Sequence, residues 1–329
     1  MVVTLLVIVY IIISLICIGS LTLGLYQKNI NLMCNSKRRL DGKTAIVTGG
    51  TSGIGLEIAI DFAQRGARVI VACPFQEEGD NGKKLIIKRS GNENVIFEHL
   101  DLSSFASVRK FSANIIANES RLDILVNNAG VNMPPRMTDD NLNFIMQVNY
   151  YGAVLLTLLL LPLLNKTGRP GEPSKIITTT SFFHKRGSID VANWNKSDSS
   201  WVCYADSKLA IVLFTRELAR RIQHRNIIAN VVDPGIVGTP ILLKPAMFLG
   251  PFVVFMASAI FKTPWEGAQS AIFAAVSEEA LHQNGKCIYN CQVMMSKLSH
   301  HNNDDKLCKH VWETTMNSVG FEDSVVLVS

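Results

Sequence analysis

The chain has 329 residues, 48% hydrophobic and 18% charged, with 32 Lys and Arg against 27 Asp and Glu, a net charge of +5 and a mean hydropathy of +0.22. That balance is too apolar for a disordered chain and too poor in charge for a coiled coil, and its basic residues are scattered rather than gathered into a nucleic-acid stripe. Seven cysteines, odd in number and without framework spacing, exclude a disulfide scaffold; Cys287 and Cys291 lack the CxxC spacing of a zinc or redox pair, and no metal site is expected.

Val2 to Tyr26 carry no charged side chain, and Lys28 is the first. As a helix this run rises about 37 Å, enough for a hydrocarbon core of about 30 Å. A cleaved leader would begin with basic residues, and none precedes the run. Residues 1–27 are therefore read as a retained transmembrane anchor and 28–40 as a basic linker. Lys28, Lys37, Arg38 and Arg39 follow the anchor, so the positive-inside rule puts the rest of the chain on the cytosolic side, with the endoplasmic reticulum the expected membrane. Asn118, Asn165 and Asn195 open formal glycosylation tripeptides, which matter only for a luminal domain.

Beyond Leu40, short apolar runs alternate with amphipathic stretches. Thr44–Thr48, Val69–Ala72, Val95–His99, Ile124–Asn127, Lys175–Thr180 and Ile228–Val232 read as strands of a parallel sheet buried on both faces. Ile54–Gln64, Phe105–Asn118, Leu142–Leu164 and Tyr204–Gln223 read as the helices between them. The alternation predicts one α/β domain, a doubly wound parallel sheet of Rossmann type, over residues 41–290. Residues 291–329 are left as a C-terminal extension whose His300–Asp305 run reads as a polar loop.

The first strand runs straight into Gly49-Gly50-Thr51-Ser52-Gly53-Ile54-Gly55 and a helix. A pyrophosphate needs close backbone approach, free N–H groups and a positive helix end, and Gly49, Gly53 and Gly55 provide the turn, the approach and the close helix–strand packing. Further on, Tyr204 and Lys208 lie four apart on a predicted helix and share one face. A phenol with a reference pKa near 10 exchanges protons poorly at neutral pH, and a neighbouring ammonium lowers it.

Thr48-Gly49-x3-Gly53-Ile54-Gly55, Asn127-Asn128-Ala129-Gly130 and Tyr204-x3-Lys208, in that order, resemble the signature set of the short-chain dehydrogenase/reductase superfamily. Asn230–Thr239 and Phe261–Ala268 resemble its retinol-dehydrogenase-like branch, which includes the X-linked dehydrogenase/reductase member. The resemblance spans roughly Asp41 to Asn290. It implies catalysis by Asn149, Ser181, Tyr204 and Lys208: Tyr204 exchanges the proton, Ser181 polarises the substrate oxygen and Asn149 supports a relay water. It further implies cofactor contacts from Gly49, Thr51, Ser52, Gly53, Ile54 and Gly55 at the phosphates. Asp101 would meet the adenine, with Asn127 and Ala129 beside the adenosine half. Pro234, Gly235, Val237 and Thr239 would meet the carboxamide, and Tyr204 and Lys208 the nicotinamide ribose.

An acidic residue at the end of the second strand favours NAD and an arginine NADP. Ala72-Cys73-Pro74 offers neither, and Lys83 and Lys84 are expected at the start of the next helix rather than at the strand end, so NAD is favoured, with NADP the alternative. Pro240–Phe261 carries one charge and suits an apolar lid. The expectation is a membrane-anchored NAD(P) oxidoreductase acting on a lipophilic alcohol or carbonyl compound, polyprenoid or retinoid before steroid. Its partners would be membrane lipid and a second copy of the chain, not nucleic acid. A non-catalytic Rossmann scaffold and a secreted, processed protein are the rival readings.

Overall fold

The six predicted runs become β1 (Thr44–Thr48), β2 (Arg68–Cys73), β3 (Val95–His99), β4 (Ile124–Asn127), β5 (Ser174–Thr179) and β6 (Ile227–Asp233) of a single sheet. The structure is a computed structural model that describes residues 2–190, 196–239, 261–294 and 305–322; the expected lid at 240–260, Asn195 and the run at 300–304 lie outside these. Two short strands that the sequence did not announce, β7 (Cys287–Tyr289) and β8 (Gln292–Val293), complete the order β3-β2-β1-β4-β5-β6-β7-β8. Neighbours are parallel except β7 and β8. These two join through Asn290 and Cys291 in the left-handed region, φ 51° and 55°, the backbone a two-residue hairpin requires.

The helices are α1 (Val2–Ile30), α2 (Gly53–Gln64), α3 (Gln76–Ser90) and α4 (Phe105–Asn118). A rod follows, made of α5 (Phe144–Met146), a π turn (Gln147–Tyr151) and α6 (Gly152–Thr167). The last are α7 (Ser200–Arg221), α8 (Pro264–Val276) and α9 (Asp305–Val319). Strand side chains alternate between faces. Ala45, Val47, Val69 and Val71 accordingly join one core with Ile58 and Phe62 of α2, Ile86 of α3 and Ile272 of α8. Ile46, Ile70 and Leu125 join the other, with Phe111 of α4, Leu155 and Leu158 of α6, Leu213 of α7 and Trp312 of α9. Both faces being covered is what makes the strands continuous apolar runs rather than alternating ones.

Two long apolar helices have opposite surroundings. The rod Phe144–Thr167 is apolar enough to cross a membrane, yet 89% of its apolar window is buried, so it is a core element. On α1, by contrast, Tyr10, Leu15, Ile16, Ile18, Leu25 and Tyr26 are exposed. The segment after α1 is bound to the body: Leu32 N–H donates to Asn290 Oδ1 (3.1 Å), Cys34 N–H to Gln269 Oε1 (3.1 Å) and Ser36 Oγ to the Val276 carbonyl (2.9 Å).

The first turns of α3 escaped the sequence reading, which started this helix at Lys83 and Lys84, because Gly79 and Gly82 break the helical pattern there. The structure explains both glycines: a Cβ on Gly79 would lie 2.2 Å from the Phe97 ring, and one on Gly82 would lie 2.9 Å from Thr51. The helix starts at Gln76, so Lys83 and Lys84 lie well inside it rather than at its start. α8 does carry a legible signal, the capping box of Thr263 with Glu266 and Pro264 in its first turn.

At the sheet end where β5 begins, Lys175 is 5% exposed and donates from Nζ to the Ala275 carbonyl. Burial pushes its ammonium down from 10.5 to about 7; Arg38 and Lys43 add to the shift, and Glu172 and Asp123 oppose it. Between pH 7 and 10.5 the unfolded chain therefore holds a proton that the folded chain has lost, so stability rises with pH across that window. The cost of the buried charge is fully present below pH 7 and absent above 10.5. Lys175→Met is expected to raise stability at pH 6 and to flatten the rise from pH 7 to 10 by about 1 kcal/mol per unit. Denaturant titration at several pH values checks this; mutant and wild-type profiles that run parallel would sink it.

Candidate active site

β1 and β4 are adjacent while their connections run to opposite sides, and open α/β sheets bind ligands in the crevice at such a switch point. A cleft of about 580 Å³ lies at the strand ends. The turn after β1 forms its floor: Gly49 and Gly53 hold φ of 63° and 54°, and a Cβ on Gly49 would lie 3.0 Å from the Ala129 backbone. Ser52 begins α2 without a side-chain cap, which leaves the helix's first N–H groups uncapped at the cleft. A bound pyrophosphate fits this donor set.

The cleft is lined by Gly49, Thr51, Ser52, Gly53, Ile54, Asp101 and Ala129, and also by Ser181, Tyr204, Lys208, Pro234, Gly235, Val237 and Thr239. Three residues expected at the ligand stand behind the wall instead. Gly55 is in α2, where a Cβ would meet the Gly49 carbonyl at 2.2 Å, so it serves helix–turn packing. Asn127 is 4% exposed and its amide donates to Thr157 Oγ1 (2.8 Å), toward α6; the next residue, Asn128, is the one that lines the cleft. Asn149 sits in the π turn, 1% exposed. Its Oδ1 accepts from Val131 N–H (2.7 Å), and its amide donates to the Val131 carbonyl (2.9 Å) and Ser207 Oγ (3.2 Å). Both amide hydrogens are thus spent on the protein, and the side chain fixes the strand-end segment next to Lys208 rather than reaching the cleft.

Tyr204 enters from α7, 9% exposed, in a cage of rings: Phe183 and Trp201 each lie 6.1 Å from it at 77°, and 5.3 Å from one another. Phe182, 43% exposed, lines the same cleft. Burial pushes the Tyr204 phenol above its usual value; a hydrogen bond with the Ser181 side chain pulls it back, and the Asp233 charge adds to the rise. The sequence led us to expect lowering by Lys208. In the structure Lys208 Nζ lies 5.8 Å from the ring centroid and donates to the Thr179 carbonyl (2.9 Å), so desolvation dominates the phenol. Burial brings Lys208 itself down to about 8, opposed by Asp233.

Asp233 was hidden in the sequence as the first residue of an Asp-Pro-Gly turn. It ends β6 at 3% exposure, with Oδ1 accepting from Gly235 N–H (2.9 Å). Burial raises its carboxyl; that N–H and the charges of His184, Lys185 and Lys262 oppose the rise. His184 is 1% exposed with Nδ1 2.5 Å from the Ser181 carbonyl, a bond that buttresses the serine.

The comparisons with known proteins agree with this fold. The family profile described as short chain dehydrogenase matches residues 43–245. Dehydrogenase/reductase SDR family member 13 of Homo sapiens is 36% identical over 292 residues, 87% of this chain and 76% of its own. Retinol dehydrogenase 13 of Homo sapiens is 37% identical over 298 residues, 88% of each chain. Retinol dehydrogenase 11 of Mus musculus is 35% identical over 291 residues, 88% of this chain and 90% of its own. Among solved structures, the Pseudomonas aeruginosa RhlG/NADP active-site complex matches with a TM-score of 0.64 and 27% identity, over 78% of this chain and 97% of that one. This chain belongs to the short-chain dehydrogenase/reductase family, as an NAD(P)-dependent oxidoreductase related to the retinol dehydrogenases.

Proposed function

We propose that the chain is a membrane-anchored alcohol dehydrogenase/carbonyl reductase. It transfers a hydride between NAD(P), with NAD preferred, and a lipophilic alcohol or its carbonyl form, polyprenoids and retinoids ahead of steroids. The observation that carries this reading is the meeting of two surfaces at Tyr204. The glycine turn and the uncapped start of α2 suit a dinucleotide, while Phe182, Phe183 and Trp201 suit an apolar substrate. The printed names of the retinol dehydrogenases point to the same substrate chemistry.

When bound, the nicotinamide supplies the hydride acceptor or donor. The chain's own residues handle the proton. Tyr204 Oη gives or takes the hydroxyl proton, and Ser181, its hydrogen-bond partner, polarises the substrate oxygen. Lys208, anchored on the Thr179 carbonyl, holds positive charge beside the phenol and would hold the ribose hydroxyls of a bound nucleotide. Asn149 acts as a positioning residue through Val131 and Ser207. Gly49 and Thr51–Ile54 hold the phosphates, Asp101 the adenine end, and Pro234, Gly235, Val237 and Thr239 the carboxamide end. The exposed apolar surface of α1 supports a bilayer anchor, with the body on the cytosolic side of the endoplasmic reticulum and a homodimer as the assembly.

The test uses the detergent-solubilised full chain with retinol, a polyprenol and a hydroxysteroid, each against NAD and NADP, reading cofactor absorbance and products. Turnover of at least one lipophilic alcohol is the expected result. No nucleotide binding at all would replace this reading with a scaffold. Glycosidase-sensitive sugar on Asn118 or Asn165 would overturn the cytosolic orientation.

A further inference from the structure

We propose that Glu78 selects the dinucleotide, favouring the free 2′-hydroxyl of NAD and repelling the 2′-phosphate of NADP; this rests on the reading of the cleft as a nicotinamide-dinucleotide site. The end of β2 reads Ala72-Cys73-Pro74 and has no acidic residue, yet the structure puts a carboxylate there from another element. Glu78 lines the cleft together with Cys73, Pro74 and Phe75, and its Oε1 accepts from Thr51 Oγ1 at 2.6 Å. Thr51 belongs to the phosphate turn, so the carboxylate is tied to the very loop that positions the nucleotide.

The placement is rigid. α3 lies flush on the body because Gly79 meets the Phe97 ring and Gly82 meets Thr51, contacts that any Cβ would push apart. Glu78 is therefore carried on a helix docked at two points, one of them its own hydrogen-bond partner. Charge at this end of the cleft is of one sign. Glu78 and Asp101 line it, Lys83 and Lys84 do not, and among the described residues the lining cations are Arg136 and Lys208. Lys208 lies beside Tyr204, and Arg136 stacks on Phe144 at 4.0 Å. A ribose hydroxyl can donate to a carboxylate, whereas a phosphate dianion set against one is repelled and finds no guanidinium there to offset it.

Glu77 provides the control. Both glutamates sit in the first turn of α3, where a carboxylate complements the helix dipole, but only Glu78 bonds Thr51 and lines the cleft. The experiment is calorimetric binding of 5′-ADP and adenosine 2′,5′-bisphosphate to the full chain, wild type against Glu78→Gln and Glu77→Gln, with no turnover needed. Wild type is expected to prefer 5′-ADP roughly tenfold or more, Glu78→Gln to close that gap by about tenfold, and Glu77→Gln to keep it. Glu78→Arg should invert the preference. Both fragments binding wild type equally, or the two Gln variants behaving alike, would overturn the role of Glu78 and leave the dinucleotide reading standing. Neither fragment binding would overturn both.

Discussion

Tyr204→Phe is expected to cut turnover roughly 10²–10⁴-fold while leaving nucleotide affinity within about twofold. The substitution removes one oxygen and nothing else. The ring keeps its edge contacts with Phe183 and Trp201, both 6.1 Å away, so the wall that an apolar substrate meets is unchanged. What goes is the phenol proton and its hydrogen bond with Ser181. A step that needs a proton placed on, or taken from, the substrate oxygen then loses its phenol, and the Ser181 hydroxyl, a far weaker acid, does not replace it. Steady-state turnover alongside calorimetric binding of NAD separates the two effects. A Phe variant that turns over like wild type would remove Tyr204 from the chemistry, and one that loses nucleotide binding would make the hydroxyl a structural group.

Burial raises the Tyr204 phenol and lowers Lys208 to about 8, so at pH 7 the phenol is neutral while the ammonium is still mostly protonated. Asp233 works against that for Lys208, keeping it cationic, and against ionisation of Tyr204. The phenol is thus not pre-ionised, and the hydrogen bond with Ser181 is the interaction that favours the phenolate.

The central parallel strands were readable because they are buried on both faces and appear as apolar runs; β1 is buried at every position, whereas β3 at the sheet edge is only partly buried beyond Val95. β7 and β8 were not, since three and two residues are too few to show any period. α3 was obscured by Gly79 and Gly82, whose reason is tertiary: Phe97 and Thr51 are far away in sequence. That same fact hid Glu78, because no spacing rule connects the phosphate turn to the first turn of the next helix but one. Tyr204, Lys208 and Ser181 were found from local pattern and resemblance, and the structure brings them into one cleft. Asn127 is the last residue of β4 and its amide turns to Thr157 of α6, whereas Asn128 and Ala129, just beyond the strand, line the cleft. Asn149 marks the limit of motif reading: the motif gives its place, and only the π turn shows that its amide is spent on Val131 and Ser207.

Trp312→Ala is expected to cost about 3–5 kcal/mol of stability, the range for truncating a buried aromatic residue. The sequence left the region after residue 290 without a role, yet α9 seals the α7 side of the sheet. Trp312 is fully buried, stacks on Phe214 at 4.8 Å and 10°, and has the Arg221 guanidinium 4.4 Å over its ring. Phe214 in turn meets the Tyr150 ring edge-on at 6.2 Å, and the Tyr150 hydroxyl pairs with Thr315 Oγ1 of α9 at 2.5 Å. Tyr150 belongs to the π turn and is next to Asn149, so loss of the indole loosens the element that fixes Val131 at the cleft. The variant should therefore lose catalytic rate at temperatures where it is still folded, by more than Trp312→Phe, which keeps a ring against Phe214. Equilibrium denaturation with activity measured below the transition tests both parts. A stability loss under about 1 kcal/mol would mean that α9 rests on the body without bracing it, and an unchanged rate in a folded, destabilised Ala variant would break the proposed path from α9 through Tyr150 to the site.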